Sequence, residues 1–371
     1  RFRADLANTA AISPYLRFGE LSARQVLHRV IELGLSTPTF VRRLAWRDLA
    51  YWALWRFPTL CDAPFRGWYA AQPWSGTAAH LEAWRRGETG YPLVDAAMRQ
   101  LWSSGWIPNY MRHVVAGFLV EYLDIDWRHG MRWFDYTLVD ADVAINAYMW
   151  QNGGHSGFDQ WNFVMHPVFA AKSCDPEGDY VRRWLPQLSR LPVEYIHCPW
   201  EAPFALRAAS RLCLGKDYPQ RIVENLEAAR RKTHAAVMCV RRGVEGAAHV
   251  LPSGHEWFEL EDGRRVTLIT RCDYREGGDE IVTRQTAETQ WDASRRARTD
   301  PLSLALADSQ EGHARQGGGG ARAAAPGDDD FSHYGAKRGG RGGRGGRGGR
   351  ARGRGRSSAP GQPFAKSKAW G

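Results

Sequence analysis

The stretch "LVDADVAINAYMWQNGGHSG", residues 138–157, sets Asp140 and Asp142 one residue apart, an amide at Asn146 and an indole at Trp150. Neighbouring carboxylates can exchange protons or hold a cation, but no metal-ligand spacing lies nearby. A second polar group sits in "TGYPLVDAAMRQLWSSGWIPNYMRH", where Asn109 and Arg112 fall three residues apart on one helical face. In "FVRRLAWRDLAYW", Arg47 stands beside Trp46. A buried arginine needs a carboxylate partner, which Asp140 or Asp142 could supply. Asn109 and Asn146 read as buried amides, which persist only when hydrogen-bonded. In "NTAAISPYLRFGELS", Thr9 and Ser13 flank a turn and Ser13-Pro14 opens a helix. Its free N–H groups suit a phosphate or diphosphate, although an ordinary helix cap has the same pattern. Taken together, these groups point to a large planar polar ligand carrying a diphosphate.

The elements that must position these residues are helical. "LSARQVLHRVIELGL" and "YPLVDAAMRQLWSSGW" carry apolar residues at helical spacing, with Ser22 and Asp95 near their starts. "YMRHVVAGFLVEYL" is apolar nearly all round and is predicted to be one central buried helix. "LPVEYIHCPWEAP" reads as a proline-punctuated loop, and "YPQRIVENLEAARRKTHAAV" as the last helix, ending near residue 240. Convincing alternation is absent up to that point, so the fold class predicted for residues 1–242 is all-α. Beyond it, "EWFELEDGRRVTLITRCDYR" alternates around Asp262-Gly263 like an isolated hairpin, within a variable extension spanning 243–308. From 309 to 371, Gly, Ala, Arg and Asp dominate and "KRGGRGGRGGRGGRARGRGR" is an RGG repeat, a composition that predicts disorder.

Charge follows the same division. Of the formal net charge of +10, residues 337–356 contribute +9 and contain no acid, which leaves the rest near neutral. The high pI is therefore a property of the tail and does not mark a nucleic-acid face on the folded body. Six cysteines (61, 174, 198, 213, 239 and 272) show no CxxC and no paired pattern, which suits a reducing compartment and argues against a zinc site or disulfide scaffold. Core filling accounts for most of the 17 tryptophans, which lie mainly in the first 200 residues, but the number is high enough to ask whether some have another role.

The blocks "TAAISPYLRFGELS", "WRDLAYW", "AAHLEAWRRGETGYPLVDAAMRQLWSSGW", "DIDWRHGMRWFDYTLVDADVAINAYMWQ" and "DPEGDYVRRWLPQLSRLP" resemble, in order, the FAD-binding domain of the photolyase/cryptochrome family. The resemblance covers roughly residues 5 to 230 and implies a helical FAD-binding fold. It implies that an N-terminal antenna domain, carrying an unidentified chromophore, precedes residue 1. It also implies a flavin diphosphate at Thr9, Ala10, Ala11, Ile12 and Ser13, and pocket positions at Phe40, Arg47 and Asn109. Arg112 and Asp140 match an Arg–Asp pair beside the isoalloxazine ring, with Ala141 between, and Asp142 matches the residue at the ribityl and ring edge. Asn146 matches the neighbour of flavin N5, where an amide is a poor proton donor. Trp150, Trp127 and Trp74 match an electron-transfer triad, while Trp84 and Trp106 read as packing.

At the damaged-DNA pocket the match weakens. Trp46 matches a tryptophan that stacks on a cyclobutane dimer, but Arg43 stands in place of a glutamate. Tyr110 replaces an arginine, His113 a methionine and Asn152 a second stacking tryptophan. His113 also matches one of two histidines of the (6-4) photolyase site, whose other position holds Asn109. With the long C-terminal extension, this favours a cryptochrome-like blue-light receptor over a DNA repair enzyme. The RGG tail suggests an accessory contact with RNA or a signalling partner, and suits a nucleus; a plastid would require a transit peptide ahead of residue 1. No apolar run is long enough to span a membrane.

Overall fold

The computed structural model describes residues 3–6, 9–35, 38–158, 164–260, 262–268 and 270–275. The RGG repeat and the rest of residues 276–371, with the disorder and the RNA or partner contacts expected there, lie outside the described residues.

The described residues form α1 (Ser13–Phe18), α2 (Ala23–Glu32), α3 (Pro38–Arg56), α4 (Ala78–Arg86), α5 (Pro92–Ser104) and α6 (Asn109–Gly117). They continue with α7 (Trp127–Thr137), α8 (Val143–Gly153), α9 (Pro167–Cys174), α10 (Asp179–Trp184), α11 (Val193–Ile196) and α12 (Phe204–Ala209). α13 (Leu226–Arg242) and α14 (Val244–Ala247) precede a hairpin of β1 (Glu256–Glu259) and β2 (Arg265–Leu268).

The polar residues expected at helix starts act there. Ser22 closes a capping box with Gln25: Gln25 N donates to Ser22 Oγ at 3.1 Å and Ser22 N to Gln25 Oε1 at 2.9 Å. Asp95, fully buried, accepts from Thr89 N at 2.7 Å, Gly90 N at 3.0 Å and Tyr218 Oη at 2.6 Å. Burial raises this carboxyl above its ordinary range, and the hydrogen bonds from Thr89 and Tyr218 offset only part of that. The same bonds also anchor residues 218–225 to α5, where Ile222 N donates to Thr89 O at 3.0 Å. This segment runs outside helical geometry, so the last helix begins at Leu226, capped by Asn225, and not near Tyr218.

The central apolar run also departs from one continuous helix. It divides into α6 and a buried π-helical turn, Phe118–Tyr122. The widened turn brings Glu121 into a buried ionic cluster, a use of π geometry that periodicity cannot register. The expected loop over 191–203 contains α11 and a 3-10 turn at Pro199–Glu201.

The hairpin is not isolated. Phe258 packs 5.1 Å from Phe65 within a cluster that includes Phe57 and Phe158. Glu256, fully buried, accepts from Tyr69 Oη at 2.9 Å and pairs with Arg66 and Arg241. The change of sequence character at 242 is therefore not a break in packing: residues up to Arg275 join the helical body. Two short strands cannot stand alone, and these gain their stability from that dock.

Among the described residues, no helix is long and apolar enough to cross a membrane, and no group of His, Cys, Asp and Glu could hold a metal ion. Cys61, Cys174, Cys198, Cys213 and Cys239 are free.

Candidate functional site

A cavity of about 80 Å³, open to solvent, lies between α6, the end of α7 and α8. Phe134, Leu138, Ile145, Met149 and Trp150 supply apolar surface, and Asn109, Arg112, Asp140, Ala141, Asp142 and Asn146 supply polar groups. A planar ring with a polar edge fits such a lining.

The two neighbouring acids divide their work. Asp140 takes Arg112 through one guanidinium nitrogen, Nη2, at 3.0 and 2.8 Å, while Arg112 Nε donates to Ile107 O at 3.1 Å. Asp142 faces the other way along the rim. It accepts from Arg47 Nη2 at 3.1 Å and Tyr51 Oη at 2.9 Å, and caps α8 through Ile145 N at 3.2 Å. Burial, then the Asp142 carboxylate, raises the Tyr51 phenol. Tyr51 was not singled out by sequence; its spacing four residues after Arg47 on α3 was the available signal.

Asn146 is buried and spends both amide hydrogens inside the protein. Nδ2 donates to Met131 O at 2.9 Å and to Asp135 Oδ1 at 2.6 Å. Only its amide oxygen remains to offer a ligand. Asn109, by contrast, is exposed at the first position of α6 and not a buried amide, because helix position 109 lies outside the face that Tyr110, Met111 and Val114 turn into the core.

Residues Thr9, Ala10 and Ala11 are exposed, Ile12 and Ser13 half-buried. α1 lacks a side-chain cap and is tied to the cavity rim by Arg17, whose Nε donates to Ala141 O. Trp106 Nε1 donates to Ser13 Oγ at 3.4 Å. Phe40 lies half-buried on α3, away from the cavity lining.

Of the five positions expected at a DNA pocket, His113 lines the cavity. Burial, with Arg43 and Arg112 nearby, pushes it down to about 3. Arg43 and Trp46 are half-buried on α3, with Trp46 tilted against Tyr148 at 5.8 Å. Tyr110 and Asn152 are buried and are not among the residues lining the cavity. α6 directs Tyr110 into the core, and Asn152 packs against Gly157, where a Cβ would lie 2.1 Å from its Oδ1.

Trp127 and Trp150 lie in one buried core, with half-buried Trp74 packed against it. Trp150 forms part of the cavity wall, edge-on to Phe134 at 5.1 Å and to Trp84 at 6.5 Å. Its ring reaches so close to α7 that a Cβ on Gly130 would meet Trp150 Cη2 at 2.2 Å. Gly154 makes the matching approach to Trp127, where a Cβ would lie 2.3 Å from Cδ1. The next residue, His155, stacks on half-buried Trp74 with ring centroids 6.2 Å apart. Residues 150–155 thus touch or contain all three indoles.

A model of the FAD binding domain of DNA photolyase matches residues 40–238. The chain is 39% identical over 251 residues to Cryptochrome-1 of Arabidopsis thaliana, covering 64% of this chain and 37% of that protein. It is 40% identical over 241 residues to the deoxyribodipyrimidine photo-lyase of Agrobacterium fabrum, covering 63% of this chain and 50% of that one. Its structure is similar to a bacterial class III photolyase from Agrobacterium tumefaciens, with TM-score 0.62, 38% identity and coverage of 66% and 52%. A Synechocystis cryptochrome matches with TM-score 0.58, 31% identity and coverage of 62% and 48%. The chain spans half or less of the length of these two curated relatives.

Proposed function

The chain belongs to the family of the FAD-binding domain of DNA photolyase, whose cofactor is FAD, and we propose that it works as a cryptochrome-like blue-light receptor in which Trp150, Trp127 and Trp74 relay electrons to the cavity. The observation that carries this reading is the continuous segment 150–155, which starts on the cavity wall and ends against a half-buried indole.

The lining fits the cofactor: apolar faces for a ring system, with Arg112, Asp142 and the Asn146 oxygen at its polar edge. Bound FAD would supply blue-light absorption and an acceptor for one electron. Arg112 is held by Asp140 and Ile107 O, so it presents a fixed cation without ordering cost when the ligand arrives. Asn146 accepts hydrogen bonds there and has no proton to give. The indoles pass positive charge outward in short steps, from buried Trp150 towards Trp74, where return is slow.

A receptor is favoured over repair because Tyr110 and Asn152 are buried away from the cavity and Arg43 replaces an acid. Absorbance of the purified protein before and after blue light tests the reading. Oxidised flavin that is photoreduced, with no restoration of dimer-containing oligonucleotides by the illuminated, reduced protein, is the expected result. Trp46 and His113 keep repair as the second reading, and clear turnover in that assay would replace the receptor assignment.

A further inference from the structure

His155 belongs to none of the groups above, yet its surroundings are elaborate. Its backbone is left-handed, with φ 72°, a conformation that a residue other than glycine holds only when its neighbours enforce it. Arg66 supplies that enforcement. Its Nε donates to Ser156 O at 3.0 Å and its Nη2 to the carbonyls of His155 and Gly157. The imidazole is held at both nitrogens: Nδ1 lies 3.2 Å from Gln72 Nε2, and Nε2 lies 3.2 Å from Glu121 Oε1. One face lies near-parallel to Trp74, and Tyr274 stands edge-on at 5.6 Å.

We propose that His155 is a positioning residue for Trp74 at the outer end of the indole relay, and that Arg271 of the C-terminal segment completes the lock that holds it. This rests on the relay reading above. Arg271 Nη1 donates to Glu121 Oε1 at 2.7 Å, and Arg230 Nε lies 3.3 Å from Oε2. Asp273 pairs with both arginines, so the cluster balances its own charge. Burial alone would raise Glu121, but Arg230, Arg271 and His155 outweigh it and hold the carboxylate well below its usual range. Burial lowers His155, with Arg271 and Arg230 pushing the same way and Glu121 opposing. The ring that faces Trp74 at neutral pH is therefore uncharged.

That neutrality matters to the relay. With FAD bound in the cavity as acceptor of one electron, Trp150 would give up that electron and be refilled from Trp127, and Trp127 from Trp74; Trp74 would be left oxidised by one electron and restored by an external thiol. An imidazolium 6.2 Å from an oxidised indole would oppose that last oxidation by about a hundredfold in equilibrium, at a protein-like effective dielectric.

The test uses the full chain loaded with FAD, blue light and a thiol, followed by absorbance from pH 8 to 4.5. His155→Asn accepts the left-handed backbone but lacks the ring, and is expected to slow photoreduction by about tenfold. Arg271→Met should slow it in the same direction. His155→Phe restores the flat ring; it should rescue the rate at pH 8 and lack the decline in acid expected of the natural chain. In the flavin-free chain, emission assigned to Trp74 by subtracting the Trp74→Phe spectrum should become more open to acrylamide in H155N. Unchanged rate and quenching in H155N, or identical pH profiles for H155F and the natural chain, would overturn the proposal. If H155N does not fold, the H155F profile and R271M decide it. Should Trp74→Phe leave photoreduction unaffected, the relay reading fails first.

Discussion

Asn146 Nδ2 on α8 lies 2.6 Å from Asp135 Oδ1 on α7, so the amide that faces the cavity is committed as a donor to the adjacent helix. Burial raises the Asp135 carboxyl while the Asn146 hydrogen bond lowers it. Asn146→Asp would set two carboxylates against each other, raising one of them above its unfolded value. Such a group costs stability at pH values above its folded pKa, and the cost disappears as pH falls through it. The variant should be less stable than the natural chain by about 1–3 kcal/mol at pH 7, with the gap closing towards acid, in urea unfolding series.

His113 offers a second pH test. Its folded value of about 3 lies below the ordinary 6.5, so the unfolded chain takes up a proton first as pH falls. Stability is therefore lost progressively from about pH 6.5 downwards, by about 2 kcal/mol at pH 5 from this group alone. His113→Gln should lack that share of the decline, leaving a flatter stability profile between pH 8 and 5.

Asp140 holds Arg112 from a nearly fully buried position. Asp140→Ala should lower the stability of the flavin-free chain by about 2–4 kcal/mol and reduce the flavin retained per chain. Thermal melts and flavin absorbance measure the two effects separately. A variant with undiminished flavin content would remove Arg112 from the ligand site.

The relay has a steric and a chemical test. Trp150→Phe keeps an aromatic ring in the wall but removes the oxidisable indole, and should block photoreduction while leaving flavin bound. Gly130→Ala forces a Cβ into Trp150, and should destabilise the fold by about 1–3 kcal/mol with a smaller effect on light response.

Glu256 carries the docking of the hairpin. Glu256→Ala leaves Arg66 and Arg241 buried without that carboxylate, and should cost about 3–5 kcal/mol in chemical unfolding. An unchanged midpoint would mean that the Phe258 aromatic cluster and the Arg271–Glu121 and Arg230–Asp273 pairs suffice to hold the C-terminal segment.

Local pattern carried much of this protein. Apolar periodicity and capping residues such as Ser22 and Asn225 mark helix existence because they act within one or two turns. The polar residues that line the cavity, Asn109, Arg112, Asp140, Asp142 and Asn146, were legible as a set, since their types and order carry the family resemblance. What the chain could not express locally was choice among distant partners. The resemblance implied the Arg112–Asp140 pair, but only folding decided that Asp142 takes Arg47 and Tyr51, because residue types alone let either acid suit either arginine. The same holds for Tyr110 and Asn152, whose side chains point into the core by helix rotation. It holds most for His155 and Glu256. Each is an ordinary polar residue in sequence, given its role by charges from segments as much as 190 residues away, and long-range electrostatics in a dry interior leave no periodic trace in the chain.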